Sequence, residues 1–228
     1  MQPTPNAPIF RPIAERAVLV EFGTVLGQAA HQAVLRLDQA LAAQRFVGFR
    51  ESVPALVNLL VEFDTLATDH PTVIAHLRGL LTAQTIACPQ PAQREVLICY
   101  DTDLAPDLAA VAQQSGLTPE AVINAHLFGN YAVFMYGFAP GYAYLGGVPK
   151  AIRLDRKPSP VRGVAAGSVI IAGAQCLITT LLMPTGWWII GRSPTAILTR
   201  DPARPFLFDV GDKVHFRRIS RAEYEAAQ

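Results

Sequence analysis

Short apolar segments separated by glycine and proline turns run through the second half of the chain, and they constrain the possible folds more than any other feature. The segments lie at residues 131–138, 167–172, 187–191, 196–199 and 213–217. Each has the length and the bounding turn residues of a β-strand. Because unpaired strand edges template aggregation, a series of short strands favours a closed or nearly closed barrel. The sequence therefore predicts a β-barrel in this half.

The first third of the chain has a different pattern, in which predicted strands alternate with helices. The elements are a strand, a helix, two strands and a helix, at residues 17–23, 27–44, 49–53, 56–63 and from Pro71 onward. Apolar residues recur at spacings of three and four in the first helix, and Pro71 suits the first turn of the second. Pro54 cannot donate a ladder hydrogen bond, so we expect it in the turn of the strand hairpin. This order predicts a ferredoxin-like domain.

The proline-containing stretch at residues 83–93 leaves the domain boundary open. Residues 95–100 form either the last strand of the ferredoxin-like unit or, if the stretch is a linker, the first strand of the second half. We favour the linker, which gives an N-terminal α/β domain at 1–88 and a barrel domain at 89–228. The fold class is then α+β. A capped helical hairpin opens the second domain, at residues 106–115 and 119–127, with Gly116 as C-cap and Thr118 as N-cap.

Charge and hydropathy exclude several classes of partner. The 19 Lys and Arg residues balance 18 Asp and Glu residues, and a net charge of +1 gives no field that would attract nucleic acid or anionic lipid. No apolar run approaches the roughly 20 residues that a membrane-spanning helix needs. The N-terminal residues show no signal-peptide pattern. We therefore expect a cytoplasmic protein that binds neither nucleic acid nor membrane.

The cysteines and histidines show no spacing that declares a metal site or a nucleophile. Cys88, Cys99 and Cys176 are odd in number and lack CxxC spacing, so we expect buried reduced thiols rather than disulfides or zinc ligands. Cys176 is a candidate nucleophile, but no base partner is visible in the sequence. The five histidines form no HxxxH or HxH set with a carboxylate, so no metal is predicted.

Two segments carry the candidate binding residues. Residues 137–149, GFAPGYAYLGGVP, are either a loop shaped around a ligand or a tight connection whose rings complete the core. Residues 158–192 contain a few isolated polar side chains among apolar ones, which is typical of a pocket that orients a ligand. An arginine there, Arg162 or Arg192, holds an anion or else forms a surface ion pair.

The order GFAPGYAYLGG, PVRGVAAGSVIIAGAQ, GWWIIGR and VGDKVHF resembles the allophanate hydrolase subunit 1 family. That family includes the B subunit of bacterial 5-oxoprolinase and the Kip-type inhibitor of a sporulation histidine kinase. The resemblance covers nearly the whole chain. It implies an α/β N-terminal domain followed by a cyclophilin-like β-barrel of the carboxyltransferase type.

The resemblance also implies a function in a complex. The chain is expected to be one subunit of an ATP-dependent 5-oxoprolinase that opens 5-oxo-L-proline to L-glutamate, and to be inactive alone. The implied partners are an A subunit of the LamB/YcsF type and a C subunit homologue of the allophanate hydrolase subunit 2 type, with ATP bound by the assembled complex. The alternatives are an inhibitor of a sensor histidine kinase and a carboxyltransferase domain of a urea or allophanate pathway.

The family motif assigns a set of substrate-binding positions but no catalytic residue. The set comprises His126, Phe138, Pro140, Gly141, Tyr144, Gly146, Arg162, Ser168, Gln175, Trp187 and Arg192. His126 lies beside an apolar helix face, where a packed core histidine is the plainer interpretation. This chain reads QCLITT at 175–180 where relatives read QTGIYP, and PTGW at 184–187 where they read PGGW. We expect these changes to alter ligand specificity at a cavity that residues 137–149 and 175–192 line together.

Overall fold

The computed structural model describes residues 7–25, 27–83 and 91–228. The chain divides into two compact units, Met1–Gln90 and Pro91–Gln228, and each is described by itself. Within these residues no helix is both long enough and apolar enough to cross a membrane. The predicted α+β class is confirmed, because the first unit is a helix-covered sheet and the second is built around a nearly closed barrel.

The first unit is a four-stranded antiparallel sheet with two helices. Its strands are β1 (Ile9–Ile13), β2 (Ala17–Glu21), β3 (Phe49–Ala55) and β4 (Asn58–Phe63), in the order β1-β2-β4-β3, and its helices are α1 (Gln28–Ala43) and α2 (His70–Thr82). From β2 onward the connectivity is the predicted ferredoxin-like order. The place beside β2 is filled by the N-terminal β1, a strand that we did not predict because prolines interrupt its pattern. As an edge strand, β1 tolerates Pro12.

The expected position of Pro54 was wrong. Pro54 lies inside β3, opposite Leu59 of β4, and the turn falls later, where Leu56 has a left-handed φ of 52°. β3 is an edge strand of the sheet, so one side of its backbone has no partner strand. A proline is tolerated there because the missing N–H removes no necessary ladder bond.

The helices of the first unit form where their apolar stripes and caps predict. Val34, Leu37 and Leu41 of α1 are buried in the unit's core, at the spacing of three and four that marks one helix face. Asp69 caps α2 by accepting a hydrogen bond from the Thr72 amide at 2.9 Å, and Pro71 follows in the first turn. Local sequence signals therefore place both helices.

The second unit contains a seven-stranded sheet that nearly closes on itself. Its strand order is β12-β9-β10-β7-β6-β13-β5. The strands are β5 (Gln93–Ile98), β6 (Tyr131–Tyr136), β7 (Ala143–Gly146), β9 (Ser168–Ala172), β10 (Gln175–Ile178), β12 (Trp188–Arg192) and β13 (Lys213–Arg218). The two ends meet at an antiparallel bridge, where the backbones of Cys99 and Arg192 exchange hydrogen bonds of 2.8 and 2.9 Å. This bridge removes most of the exposed sheet edge.

β5 pairs in parallel with β13, which places residues 95–100 in the second unit rather than in the ferredoxin-like sheet. The remaining elements are β8 (Val161–Val164) and β11 (Met183–Thr185) in a two-stranded sheet, α3 (Leu108–Ser115), α4 (Pro119–Leu127), α5 (Arg221–Ala226) and a 3₁₀ turn at Lys150–Ile152. Gly116 caps α3 with a left-handed φ of 66°, and the Thr118 side chain caps α4, both as predicted.

The strand predicted at 196–199 was wrong. These residues form only an isolated bridge between Leu198 and Phe206. Four short strands were also missed: β7 lies inside the glycine-rich segment, β10 begins at Gln175, and β8 and β11 form the separate two-stranded sheet. Strands of four residues carry too little alternation to be recognised before their partners are known.

Candidate functional site

The glycine-and-aromatic segment forms a tight loop between β6 and β7. The amides of Ala139 and Tyr142 donate to the carbonyls of Gly137 and Ala139 at 2.9 and 3.0 Å. Phe138 has a left-handed φ of 73°, which is strained for a residue with a side chain, and its ring is 77% exposed. Strained residues cluster at binding sites, so the loop is a shaped feature rather than a plain connection.

This loop and the region around β11 line one cavity of about 160 Å³, called the aromatic cavity below. The lining residues are Phe138, Tyr142, Tyr144, Arg156, Ile170, Leu177, Pro184, Thr185, Gly186 and Trp187. Ring centroids lie 5.5 Å apart for Phe138 and Tyr142, and 6.0 Å apart for Tyr144 and Trp187. The two sequence segments that we expected to converge therefore do line a common cavity.

The lining of this cavity contains one cation, Arg156, besides the hydroxyl groups of Tyr142, Tyr144 and Thr185. The guanidinium of Arg156 lies 5.8 Å from the Trp187 ring centroid, in range of a cation–π contact. Arg156 has no ion pair with any described carboxylate, and it is exposed. Burial, with a smaller contribution from Tyr144, raises the pKa of Tyr142 to about 12, so its phenol stays protonated at neutral pH. The cavity therefore suits a small flat ligand with one negative group.

Arg156 gave no signal in the sequence. It lies on the loop between the 3₁₀ turn and β8, where an isolated arginine belongs to no periodic pattern or motif. Only the folded structure brings Arg156 close to Trp187, because the two residues are far apart in the sequence.

A second, larger cavity of about 420 Å³ lies around Arg192 and is called the Arg192 cavity below. Its lining residues are Ala166, Gly167, Thr179, Thr180, Arg192, Ser193, Pro194, Thr195, Ala196, Ile197, Leu198, Tyr224 and Gln228. The Nε of Arg192 is buried from solvent and has no hydrogen-bond partner among the described residues. Gly167 has a left-handed φ of 79°, and a Cβ at that position would clash with the Ser193 carbonyl oxygen.

The loop that carries Pro140 and Gly141 contacts lining residues of the Arg192 cavity. The Thr180 hydroxyl donates to the Pro140 carbonyl at 2.7 Å. A Cβ on Gly141 would lie 2.6 Å from Leu198 Cδ2 and 3.1 Å from Thr180 Cγ2. Because Phe138 and Tyr142 of the same loop line the aromatic cavity, the loop contributes to both cavities.

His126 lies in the barrel core and lines neither cavity. Its Nδ1 lies 2.7 Å from the Tyr100 hydroxyl, and its Nε2 lies 3.5 Å from the sulfur of Cys176. Burial lowers the pKa of His126 to about 3 and raises the pKa of the Cys176 thiol far above its usual range. Cys176 thus has the histidine neighbour that the sequence did not reveal. Both groups are fully buried and uncharged. The pair is therefore part of the packed core and is not a nucleophile with its general base.

The other predicted binding residues are distributed over the barrel. Ser168 is fully buried and donates to the Ala165 carbonyl at 2.9 Å. Gln175 and Gly146 lie opposite each other in the β10–β7 pair. Arg162 is exposed on β8 and is not among the residues that line either cavity. Of the predicted set, the residues that line the aromatic cavity are Phe138, Tyr144 and Trp187.

No group of three or more His, Cys, Asp or Glu side chains that could hold a metal ion occurs in residues 7–25, 27–83 and 91–228. Cys99 and Cys176 are free buried thiols. Cys88 lies outside the described residues.

The fold and the cavities define a two-unit α+β protein whose candidate binding residues lie on a nearly closed barrel. A solved structure with this fold is TTHA0988, which superimposes with a TM-score of 0.78 and 33% sequence identity over 90% of this chain. The chain spans only 40% of the length of TTHA0988.

The family follows from a direct match. Residues 8–208 match the model of the carboxyltransferase domain, subdomain C and D, and the chain belongs to that family. It is 33% identical to the B subunit of 5-oxoprolinase from Bacillus subtilis (strain 168), over 94% of each chain. It is also 33% identical to the B subunit of 5-oxoprolinase from Escherichia coli O157:H7, over 90% of this chain and 93% of that one.

Proposed function

We propose that this chain is one subunit of an ATP-dependent 5-oxoprolinase, which opens 5-oxo-L-proline to L-glutamate. The observation that carries the proposal is the similarity to the B subunit of 5-oxoprolinase along nearly the full length of both chains. The predicted partners are an A subunit of the LamB/YcsF type and a C subunit homologue of the allophanate hydrolase subunit 2 type. A cytoplasmic location remains part of the proposal.

The aromatic cavity is the proposed site for the substrate ring. 5-Oxo-L-proline is a small five-membered cyclic amide with one carboxylate, and the cavity combines aromatic walls with a single cation. The ring would lie against Tyr144 and Trp187, and its carboxylate would accept hydrogen bonds from Arg156. Phe138, which lines the cavity and is exposed, would cover the bound ring.

Ring opening requires groups that this chain does not offer at the cavity. Water must add to the lactam carbonyl carbon while the C–N bond breaks and the nitrogen gains a proton, and amide resonance makes that step slow. Coupling to ATP hydrolysis, in which a second water converts ATP to ADP and phosphate, supplies the driving force. In the described part of the chain the one thiol–histidine contact, between Cys176 and His126, is sealed in the core. We therefore assign catalysis and ATP binding to the assembled complex.

Reconstitution tests this proposal. The purified chain is mixed with the two predicted partners, 5-oxo-L-proline and ATP, and free glutamate is quantified by chromatography. Glutamate should form only with all three proteins and ATP present, and ADP should form in equal amount. Mixtures without this chain or without ATP are the controls. Absence of glutamate from the complete mixture, with all three proteins shown to be folded, contradicts the proposal.

Arg156 gives a sharper test of the substrate site. Arg156→Met removes the exposed charge without touching the core, and it should raise KM for 5-oxo-L-proline by about tenfold, the expected loss for one charge-assisted pair. kcat should change little if the contact only holds the ground state. Arg200→Met, which removes an exposed arginine outside both cavity linings, is the matched control. Equal KM values for the two variants would remove Arg156 from the site.

An inhibitor that docks on a sensor histidine kinase is the second candidate. The observation that favours it is a set of exposed apolar side chains, with Phe138 77%, Leu182 72% and Leu181 43% exposed. Such residues are typical of protein contact surfaces. Affinity capture with the purified chain separates the two functions. Recovery of a histidine kinase without a C subunit homologue favours the inhibitor, and the reverse favours the enzyme.

A further inference from the structure

The segment that carries Arg156 is tied to the start of β12 by two hydrogen bonds. The Lys157 amide donates to the Gly186 carbonyl at 2.7 Å. The Trp188 indole Nε1 donates to the Asp155 carbonyl, also at 2.7 Å. These bonds lie on either side of Arg156 in the chain, so the backbone at Arg156 has a fixed register against the start of β12.

In this register two adjacent cations lie over two adjacent indoles. The Arg156 guanidinium lies 5.8 Å from the Trp187 ring centroid, and the Lys157 Nζ lies 5.7 Å from a ring centroid of Trp188. The two tryptophans point to opposite sides, as successive residues of an extended chain do. Trp187 packs with residues that line the aromatic cavity, and Trp188 packs in the main core of the barrel. The register therefore decides which cation stands at the cavity.

A largely buried ion pair holds Lys157 on the inner side. Its Nζ lies 2.6 Å from Asp107 Oδ2, and the two side chains are 9% and 20% exposed. The same oxygen accepts the Ile189 amide at 2.7 Å. A buried carboxylate needs a cation beside it, because an unpaired charge in the interior costs several kcal/mol. Arg156 is thereby left at the aromatic cavity, whose lining includes it and does not include Lys157.

We propose that Asp107 and Lys157 are positioning residues of the aromatic cavity. Their ion pair fixes the register that keeps Arg156 over Trp187, where its guanidinium can bind the carboxylate of a ligand. A guanidinium whose backbone is already held loses less freedom on binding, so the ion pair strengthens binding without touching the ligand. The identity of that ligand, 5-oxo-L-proline, rests on the proposed function.

Isothermal titration of 5-oxo-L-proline into the purified full chain tests the proposal. Asp107→Asn/Lys157→Met replaces the ion pair by neutral side chains of similar size, and the new amide oxygen can still accept the Ile189 amide. This double variant should bind about fivefold more weakly, the cost of ordering one long side chain. Glu120→Gln/Arg218→Met removes an exposed ion pair outside the cavity lining and should bind as the unaltered chain does.

Combination with Arg156→Met shows whether the ion pair acts through this arginine. Arg156→Met alone should weaken binding by about tenfold, the loss of one charge-assisted pair. If the ion pair acts by placing Arg156, adding Asp107→Asn/Lys157→Met to Arg156→Met should weaken binding no further. A purely structural role would weaken binding by the same factor with or without Arg156.

Circular dichroism and the melting temperature without ligand establish that each variant is folded. If the double variant does not fold, Trp188→Phe takes its place with the same expected results, because it removes the indole donor to the Asp155 carbonyl and keeps an aromatic ring. Three outcomes overturn the proposal: no saturable binding of 5-oxo-L-proline up to about 10 mM, the weak end of specific small-ligand affinity; equal binding by the double variant and the unaltered chain; and equal further weakening in the Arg156→Met background.

The titration and the reconstitution assay can fail separately. Glutamate formation by the complex, together with equal binding by the double variant and the unaltered chain, refutes the positioning role and leaves the proposed function standing. Weaker binding by the double variant, together with a complete complex that forms no glutamate, supports the positioning role and refutes the proposed function.

Discussion

The buried His126 makes the stability of the barrel depend on pH in a way that one substitution can isolate. The histidine is fully buried between Tyr131, Phe216 and Cys176, and its Nδ1 contacts the Tyr100 hydroxyl. Burial lowers the pKa of its imidazole from 6.5 to about 3 in the folded state. All of these neighbours stay neutral in mildly acidic solution, so none compensates a proton on the ring.

The direction in which stability changes with pH follows from proton linkage. Between the unfolded pKa of 6.5 and the folded pKa of about 3, the unfolded chain binds a proton that the folded chain does not. Stability is therefore lost as pH falls through this window, by about 1.4 kcal/mol per pH unit. Lowering the pH from 7.5 to 4.5 should cost about 3 kcal/mol through His126 alone, because the loss begins only near the unfolded pKa.

The assay compares the unaltered chain with His126→Asn, whose side-chain amide does not titrate and can still meet the Tyr100 hydroxyl. Both tryptophans lie in the second unit, so fluorescence during urea unfolding reports the barrel. The smaller asparagine lowers stability at every pH, but only the difference in pH dependence matters. The unaltered chain should lose about 3 kcal/mol more than the variant between pH 7.5 and 4.5. A difference below about 1 kcal/mol would refute the reasoning, since His126 would then titrate nearly as it does in the unfolded chain.

Two further substitutions test the packing around the cavities. Gly141→Ala should cost about 3 kcal/mol in urea unfolding, from its left-handed φ of 72° and the close approach of Leu198, whereas Gly173→Ala, with φ 53° and open space around it, should cost only about 1 kcal/mol. Equal losses would mean that Leu198 moves away freely. Asp107→Asn leaves Lys157, whose side chain is 9% exposed, without its 2.6 Å ion pair and should cost about 3 kcal/mol. Adding Lys157→Met should recover most of that loss, and no recovery would show that the ion pair is not the cause.

Residues close together in the chain are enough to predict much of the fold. The spacing of Val34, Leu37 and Leu41 marks α1, and the caps at Gly116 and Thr118 bound the helical hairpin. These signals depend on backbone dihedral preferences and on side chains within one or two helical turns. Residues that are adjacent in the chain determine both. The five longer strands of the barrel, β5, β6, β9, β12 and β13, were predicted from short apolar segments bounded by turn residues.

The candidate site was only partly predictable. The glycines and rings of the loop made Phe138 and Tyr144 conspicuous, and their convergence with Trp187 follows from the fold that the motif order implies. Arg156 gave no signal, because single polar residues on loops are common and their role becomes visible only beside a cavity.

The order of amino acids specifies the class of most segments, the existence of two units with different patterns, and the family to which the chain belongs. Long-range packing settles which strands are neighbours, that Cys99 and Arg192 close the barrel, and that His126 is sealed beside Cys176. The physical reason is that strand pairing and burial depend on residues far apart in the chain. Their free energy is gained only after the loops between them close, so no local pattern records it.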